Sequence, residues 1–348
     1  MQRICTSLSK QGYVVTLIGR KLKTSKPLPL FNFSTKRLFC WFHKGILFYI
    51  EYNIRLFIYL LWHRFDAYCA IDLDTIIPNY FASIIKGRKR VYDAHELFTE
   101  QKEIITRPFI HSVWLSIEKY FVPRFKQGYT VNNFIKEELN RRYKVQYEII
   151  RNIPIKKEYH TTANTQQEKF IIYQGAVNEG RSFETLIPAM RYIDCRLIIC
   201  GKGNFFEQTK QLITQYNVQD KVILKGYVSP SALDKLTPTA LFGLTLFEKT
   251  GLNQFYSLAN RFFDYMMAGI PQICVGYPEY KTINDKYQIA LLVNDTDETT
   301  LVQAINKLLN DTTLYQQIKN NCLQARETLN WEMEEEKLIK FWHSVLDK

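Results

Sequence analysis

Residues 251–275 read GLNQFYSLANRFFDYMMAGIPQICV, and this order of residue types predicts loop, helix, stop and strand. The polar opening, with Gly251 and Asn253, is loop-like, and Ser257 stands where a side chain can cap the helix that LANRFFDYMMAG would form. Gly269 suits the helix end, because a residue without a Cβ adopts the left-handed conformation there at little cost. Ile270-Pro271 then forces extended backbone into QICV, a short buried strand. Within the helix Leu258, Phe262, Tyr265 and Met266 recur on one face, while Arg261 and Asp264 lie on another. A carboxylate and a guanidinium after a polar loop suit a ligand that offers both hydroxyls and phosphates. Free N–H groups and the positive dipole end at the helix start suit a diphosphate.

Outward from this stretch, the second half alternates strand and helix. KFIIYQGA leads through a glycine turn into SFETLIPAMRYI, and RLIICGKGN into FFEQTKQLITQY; KVILKGYV, ALFGLTLF and IALLV supply further strands. The alternation argues a parallel sheet with helices on both faces. Gly201-Lys202-Gly203 lacks the third glycine of a dinucleotide fingerprint, so a redox cofactor is a weak reading, and turn geometry alone could explain both glycines.

The first half opens on a helix from Gln2, a glycine stop at Gly12 and a strand Tyr13–Ile18. A basic, irregular linker over 21–37 follows, then an apolar, helical region over 38–62. AYCAID is a strand ending in Asp72 and Asp74; Asp74 or Thr75 reads as the cap of the next helix rather than the pair as a metal site. RVYDA is another strand, and it delivers His95 at its carboxyl end, where open α/β sheets bind ligands.

At 348 residues the chain is long enough for two domains with separate cores, and 46% hydrophobic residues make it an ordinary globular composition. Seven scattered cysteines, with no Cys-x-x-Cys pair, suit buried thiols in a reduced, cytoplasmic protein better than disulfides or zinc. The net charge of +12 belongs wholly to residues 1–150, where 24 Lys and Arg face 12 Asp and Glu. Such a half can meet nucleic acid, an anionic membrane surface or an acidic substrate, or be merely a solvated basic surface. No nucleic-acid-binding motif accompanies it, so nucleic acid is not expected as a partner. Met1 is followed by a charged, polar stretch without the apolar core of a signal peptide. The apolar region over 38–62 is interrupted by Lys44, Glu51 and Arg55, and reads as packed helix with a membrane-surface role as the lesser view.

The run Ser257-Leu-Ala-Asn260-Arg261-Phe-Phe-Asp264-Tyr-Met-Met-Ala-Gly269-Ile-Pro271 resembles the donor-binding segment of the retaining group 1 (family 4) glycosyltransferases with the GT-B fold. That resemblance implies two doubly wound, Rossmann-like α/β domains facing across a cleft. It implies that Asp264 holds the nucleotide ribose, with Tyr256 where the family has its first carboxylate. The turns at Gly175 and at Gly201, Lys202 and Gly203 would face the nucleotide, and Arg181 would bind the diphosphate together with Arg261 and backbone near Ser257. His95 matches a histidine on the side opposite the donor, and would be the catalytic residue, contacting the donor sugar or acceptor and acting by positioning more than by proton transfer. In the family a strand precedes the first helix, so the first sheet here is expected to hold either a gap or a forced pairing.

The expected domains are 1–154, a linker over 155–167, 168–328, and a helix over 329–348 crossing back to the first domain. The expected function is retaining transfer of a sugar from a nucleotide-sugar donor to a glycan or lipid-linked acceptor in cell-surface polysaccharide synthesis. No metal and no cofactor are expected, since fixed positive groups would stabilise the leaving diphosphate. The alternatives are a non-catalytic nucleotide-sugar-binding or scaffold protein and a nucleotide-sugar epimerase on the same fold.

Overall fold

The computed structural model describes residues 1–23, 25, 27–157 and 169–346. Most of the linker expected over 155–167 lies outside them. The chain divides into two compact units, Met1–Arg151 with Met333–Lys348, and Asn152–Glu332.

The first unit runs α1 (Gln2–Lys10), β1 (Thr16–Lys21), β2 (Ser34–Phe39), α2 (Gly45–Trp62), β3 (Ala67–Ile71), α3 (Ile76–Ile85), β4 (Lys89–Ala94), α4 (Lys102–Ile105), α5 (Pro108–Phe121), β5 (Gln127–Thr130), α6 (Asn133–Tyr143) and β6 (Glu148–Ile149). Its strands fall into two parallel ladders, β1-β2 and β3-β4-β5-β6. Of the two outcomes expected for this sheet, the structure has the gap. No described strand pairs with the second edge of β1 or of β3. A cavity of about 540 Å³, lined among others by Cys5, Val15, Leu17, Ala67, Cys69 and Tyr129, lies beside these edges. The two ladders are joined through α2, whose Tyr52, Leu56 and Leu60 pack with Cys40, Tyr68 and Ala82, and against Ile18 and Leu38.

Three local expectations are corrected here. The basic stretch over 21–37 is not all linker, because β2 begins at Ser34 and pairs with β1 from Thr16↔Ser34 onward. The first strand spans Thr16–Lys21 rather than Tyr13–Ile18. Neither Asp74 nor Thr75 caps α3: the Thr75 hydroxyl donates to the Ile71 carbonyl at 2.8 Å instead, and α3 starts without a side-chain cap.

The second unit runs β7 (Phe170–Gln174), α7 (Phe183–Ala189), β8 (Arg196–Cys200), α8 (Phe206–Gln215), β9 (Val222–Gly226), α9 (Pro230–Leu236), β10 (Phe242–Thr245), α10 (Leu252–Phe255), α11 (Asn260–Met267), β11 (Gln272–Val275), α12 (Pro278–Tyr287), β12 (Leu291–Val293), α13 (Glu298–Asn310) and α14 (Thr312–Ala325); α15 (Trp331–Leu346) ends the described chain and from Met333 belongs to the first unit. The six strands form one parallel sheet in the order β12-β11-β10-β7-β8-β9. Alternate residues of a strand point to opposite faces, and the packing follows that rule. Ile171, Tyr173, Leu197 and Ile199 enter the larger core, and Phe170, Ile172, Ile198 and Cys200 the smaller one. With apolar layers on both faces, β7, β10 and β11 are buried along their whole length.

Candidate active site

The strand order of the second unit fixes where its ligand site can be. From β7 the chain moves outward through β8 to β9, then resumes on the other side of β7 with β10, β11 and β12. The switch point is the crevice at the carboxyl ends of β7 and β10, the place where open parallel sheets bind ligands. Gly175 follows β7 there, and Phe247 lies just beyond β10.

Arg261 projects into this crevice from the first turn of α11. It does not lie on an exposed polar face, as its spacing from the apolar positions predicts; it is only 7% exposed. Its guanidinium stacks 4.5 Å from the Tyr173 ring centroid and 4.6 Å from that of Phe247, and Nη1 donates to the Gln174 carbonyl at 3.3 Å. Nε is buried without a hydrogen-bond partner, and among the described residues no carboxylate pairs with this arginine. Arg181, on the loop after β7, lies 4.3 Å from the same Phe247 centroid. Two guanidinium groups thus share one ring, beside Gly175, whose φ of +131° is open to few residues but glycine. Aromatic faces stabilise a desolvated cation by roughly 2 kcal/mol, far less than burying an unpaired charge costs. An anion placed beside the two guanidinium groups would offset that cost.

Asp264 lies one helical turn further on and is half-buried. Its Oδ2 accepts from Gln174 Nε2 at 3.0 Å, and Gln174 Oε1 in turn accepts from the Thr237 hydroxyl at 2.7 Å. This chain fixes the carboxylate at the end of β7. Asn260 Oδ1 accepts from Asn152 Nδ2 at 3.0 Å. Ser257 does not cap α11; the helix starts after Ala259 without a side-chain cap, and the Ser257 hydroxyl donates to the Gln254 carbonyl at 2.8 Å. The stretch expected as loop contains the helical turn α10, with Tyr256 directly after it and its ring 5.4 Å from that of Phe255. One N–H at the start of α11, that of Ala259, is already bonded to the Tyr280 hydroxyl at 2.9 Å.

The glycines after β8 have a steric reason. A Cβ on Gly201 would stand 1.7 Å from the Gly175 carbonyl oxygen, and one on Gly203 would stand 2.2 Å from that of Val177. The two loops are laced together by Gly175 N to Cys200 O at 2.9 Å and Val177 N to Lys202 O at 3.2 Å. Gly201 and Gly203 thereby hold the Gly175 turn in place. Lys202 between them is exposed.

His95 belongs to the first unit and directly follows β4. Its backbone N–H donates to Asp72 Oδ1 at 2.8 Å, and its Nε2 lies 3.1 Å from Asp93 Oδ1. Burial disfavours the imidazolium, but the Asp93 carboxylate outweighs it and raises the His95 pKa to about 9. Burial likewise pushes Asp72 up, to about 7. At neutral pH His95 is a cation, able to donate a hydrogen bond but not to take a proton.

Tyr173, Gln174, Phe247 and Thr237 escaped the sequence reading. The signal for them is indirect: an arginine on a helix that buries Phe262, Phe263, Tyr265 and Met266 needs π faces or carbonyls when the flanking strands offer no acid.

Residues 155–324 match the family model described as "Glycosyl transferases group 1". No curated protein matches the chain by sequence. Among solved structures, a sucrose-phosphate synthase from Thermosynechococcus elongatus superposes with a TM-score of 0.83 at 17% identity, covering 99% of this chain and 92% of the other. The Anabaena protein HepE in complex with UDP and glucose gives 0.72 at 14% identity, with 90% and 87% covered. A glycosyltransferase from Rickettsia africae gives 0.71 at 12% identity, with 99% and 94% covered. At these identities the likeness establishes the fold, which is GT-B.

Proposed function

We propose that this chain, whose residues 155–324 match the group 1 glycosyl transferase family model, moves a sugar from a nucleotide-sugar donor to an acceptor with retention of configuration. The observation that carries this reading is Arg261, a buried cation at the sheet's switch point with two aromatic faces and no carboxylate partner among the described residues. A diphosphate supplies the missing negative charge. Arg181 would share it, and Asp264, fixed by Gln174, would accept from ribose hydroxyls. The leaving diphosphate would then be stabilised by groups already in place, with no need for a metal or cofactor.

The uridine nucleotide is the first donor class to test, because HepE is solved with UDP-glucose and with UDP. His95, charged at neutral pH, would position a donor sugar or acceptor by donating a hydrogen bond rather than act as a base. We read the acceptor as a glycan or lipid-linked chain used in cell-surface polysaccharide synthesis, met in the cytoplasm at an anionic membrane face.

A second reading is favoured by Tyr256, which stands where the resembling family carries its first carboxylate: a protein that binds nucleotide-sugars without turning them over. Calorimetry with UDP and UDP-glucose, run beside a transfer and hydrolysis assay, separates the two. Binding with turnover supports the enzyme and binding alone the second reading; absence of binding to several nucleotides overturns both.

A further inference from the structure

Helix α2 is apolar on two faces, and the protein covers only one of them. Tyr52, Leu56 and Leu60 are buried in the first unit. Ile46, Ile50, Ile54, Ile58 and Trp62 recur every fourth residue on the other side, and all are exposed, Ile54 at 54% and Trp62 at 83%. At 1.5 Å per residue the stripe is about 24 Å long. Trp41, 70% exposed, stands just ahead of the helix.

The two charges of α2 border the stripe and are paired with each other. Glu51 accepts from the backbone N–H groups of Trp41 and Phe42 at 3.0 and 2.9 Å and pairs with Arg55 at 2.8 Å. Arg55 in turn lies 4.4 Å from the Trp41 ring centroid. Further cations are placed at the two ends: Lys44 immediately before the helix and Arg64 soon after it, both exposed. Residues 1–50 hold nine Lys and Arg and no Asp or Glu.

We infer that the outward face of α2 is a membrane-docking surface that lies in the plane of an anionic bilayer interface. By length and composition the helix could cross a membrane. Its buried face is nevertheless packed into the fold, so only the outward stripe can enter lipid. An apolar stripe with an exposed tryptophan at its carboxyl end, another flanking it, and basic residues beyond both ends is suited to the boundary between headgroups and acyl chains. The basic excess of the first fifty residues complements anionic headgroups, which selects lipid over a second copy of this equally basic unit. This deepens the membrane reading of the acceptor given above, while its evidence is independent of the donor site.

The test is co-sedimentation of the full chain with phosphatidylcholine vesicles, with and without about one third phosphatidylglycerol. Binding is expected only with the anionic lipid, weakening as salt rises. The double substitution Ile54→Glu and Ile58→Glu should weaken it about tenfold or more, with the melting temperature and UDP affinity unchanged. Tyr192→Glu, at an exposed site in the second unit, should leave it unaltered. Should the glutamates disturb folding, Ile50→Ser with Ile54→Ser carries the same expectation. Vesicle binding that ignores either pair, or no binding to anionic vesicles, overturns the proposal, as does a dimer dissolved by the substitutions. UDP affinity, measured on the same samples, reports separately on the donor reading.

Discussion

The α-carbon of Gly201 presses against the carbonyl of Gly175 so closely that a methyl group there would stand 1.7 Å from the oxygen. The obstacle is backbone, which cannot rotate away as a flexible side chain could. Gly201→Ala should therefore destabilise the second unit by about 3 kcal/mol, at the upper end for overpacking, and weaken nucleotide binding by displacing the turn. Gly276→Ala, where the nearest atom is 3.4 Å away, should cost far less. Equal melting temperatures for the two variants would contradict this account.

Arg261→Met should separate stability from binding. Replacing a buried cation that has no carboxylate partner with an apolar chain of similar length should leave the ligand-free protein as stable or more so. The same change should raise the dissociation constant for UDP and for pyrophosphate at least tenfold, since hydrogen bonds to charged groups contribute roughly 1.5–3 kcal/mol. Calorimetry and thermal melting, with and without nucleotide, check both halves. Retention of pyrophosphate affinity would remove Arg261 from the site.

Asp264→Ala is expected to act on a different part of the ligand. UDP affinity should fall about tenfold while pyrophosphate affinity stays unchanged, because the carboxylate is assigned to ribose. The variant also deprives Gln174 Nε2 of its 3.0 Å acceptor, so a small loss in melting temperature should accompany it. Parallel losses for both ligands would mean that Asp264 supports the arginine region instead.

His95 makes the first unit sensitive to pH in a definite direction. Its folded pKa of about 9 lies above the roughly 6.5 of an unfolded histidine, so folding favours the imidazolium. The stabilisation is fully present below pH ~6.5 and is lost as pH rises through about 9. With the side chain 26% exposed, the effect should be on the order of 1–2 kcal/mol. The difference in stability between the wild type and His95→Gln should shrink across that window in denaturant titrations. A difference constant from pH 6 to pH 9.5 would dissociate His95 from Asp93.

Transfer activity should survive excess chelator, since Asp72 already accepts the His95 N–H and the leaving diphosphate is assigned to arginines. Complete loss, restored by Mn²⁺ or Mg²⁺, would return Asp72 and Asp74 to consideration as metal ligands.

Much of the second unit could be read from its residues because its signals are local. Gly269 does adopt the left-handed conformation, φ +70°, and β11 covers the expected QICV. The alternation of apolar runs with helical ones became six parallel strands. What could not be read depended on residues meeting from distant parts of the chain. Arg261 is buried because Tyr173 and Phe247 arrive from β7 and from beyond β10, and no helical periodicity reports that. Ser257 and Thr75 have the right chemistry for caps but satisfy their hydroxyls on the carbonyls of Gln254 and Ile71, three and four residues back. Strand β2, STKRLF, has no apolar alternation to announce it and exists as the partner of β1.

The division of the first unit's strands into two ladders sets the order in which that unit comes apart. Two strands bonded only to each other are marginal by themselves, and β1-β2 relies on α2 for its attachment to the rest. In native-state hydrogen exchange, the β1 and β2 amides should therefore open as one cooperative group at a free energy well below that of β4, which is flanked by β3 and β5. Proteolysis under native conditions should make its first cuts over 27–33, ahead of β2, leaving the β3–β6 ladder intact as the slower-opening remnant.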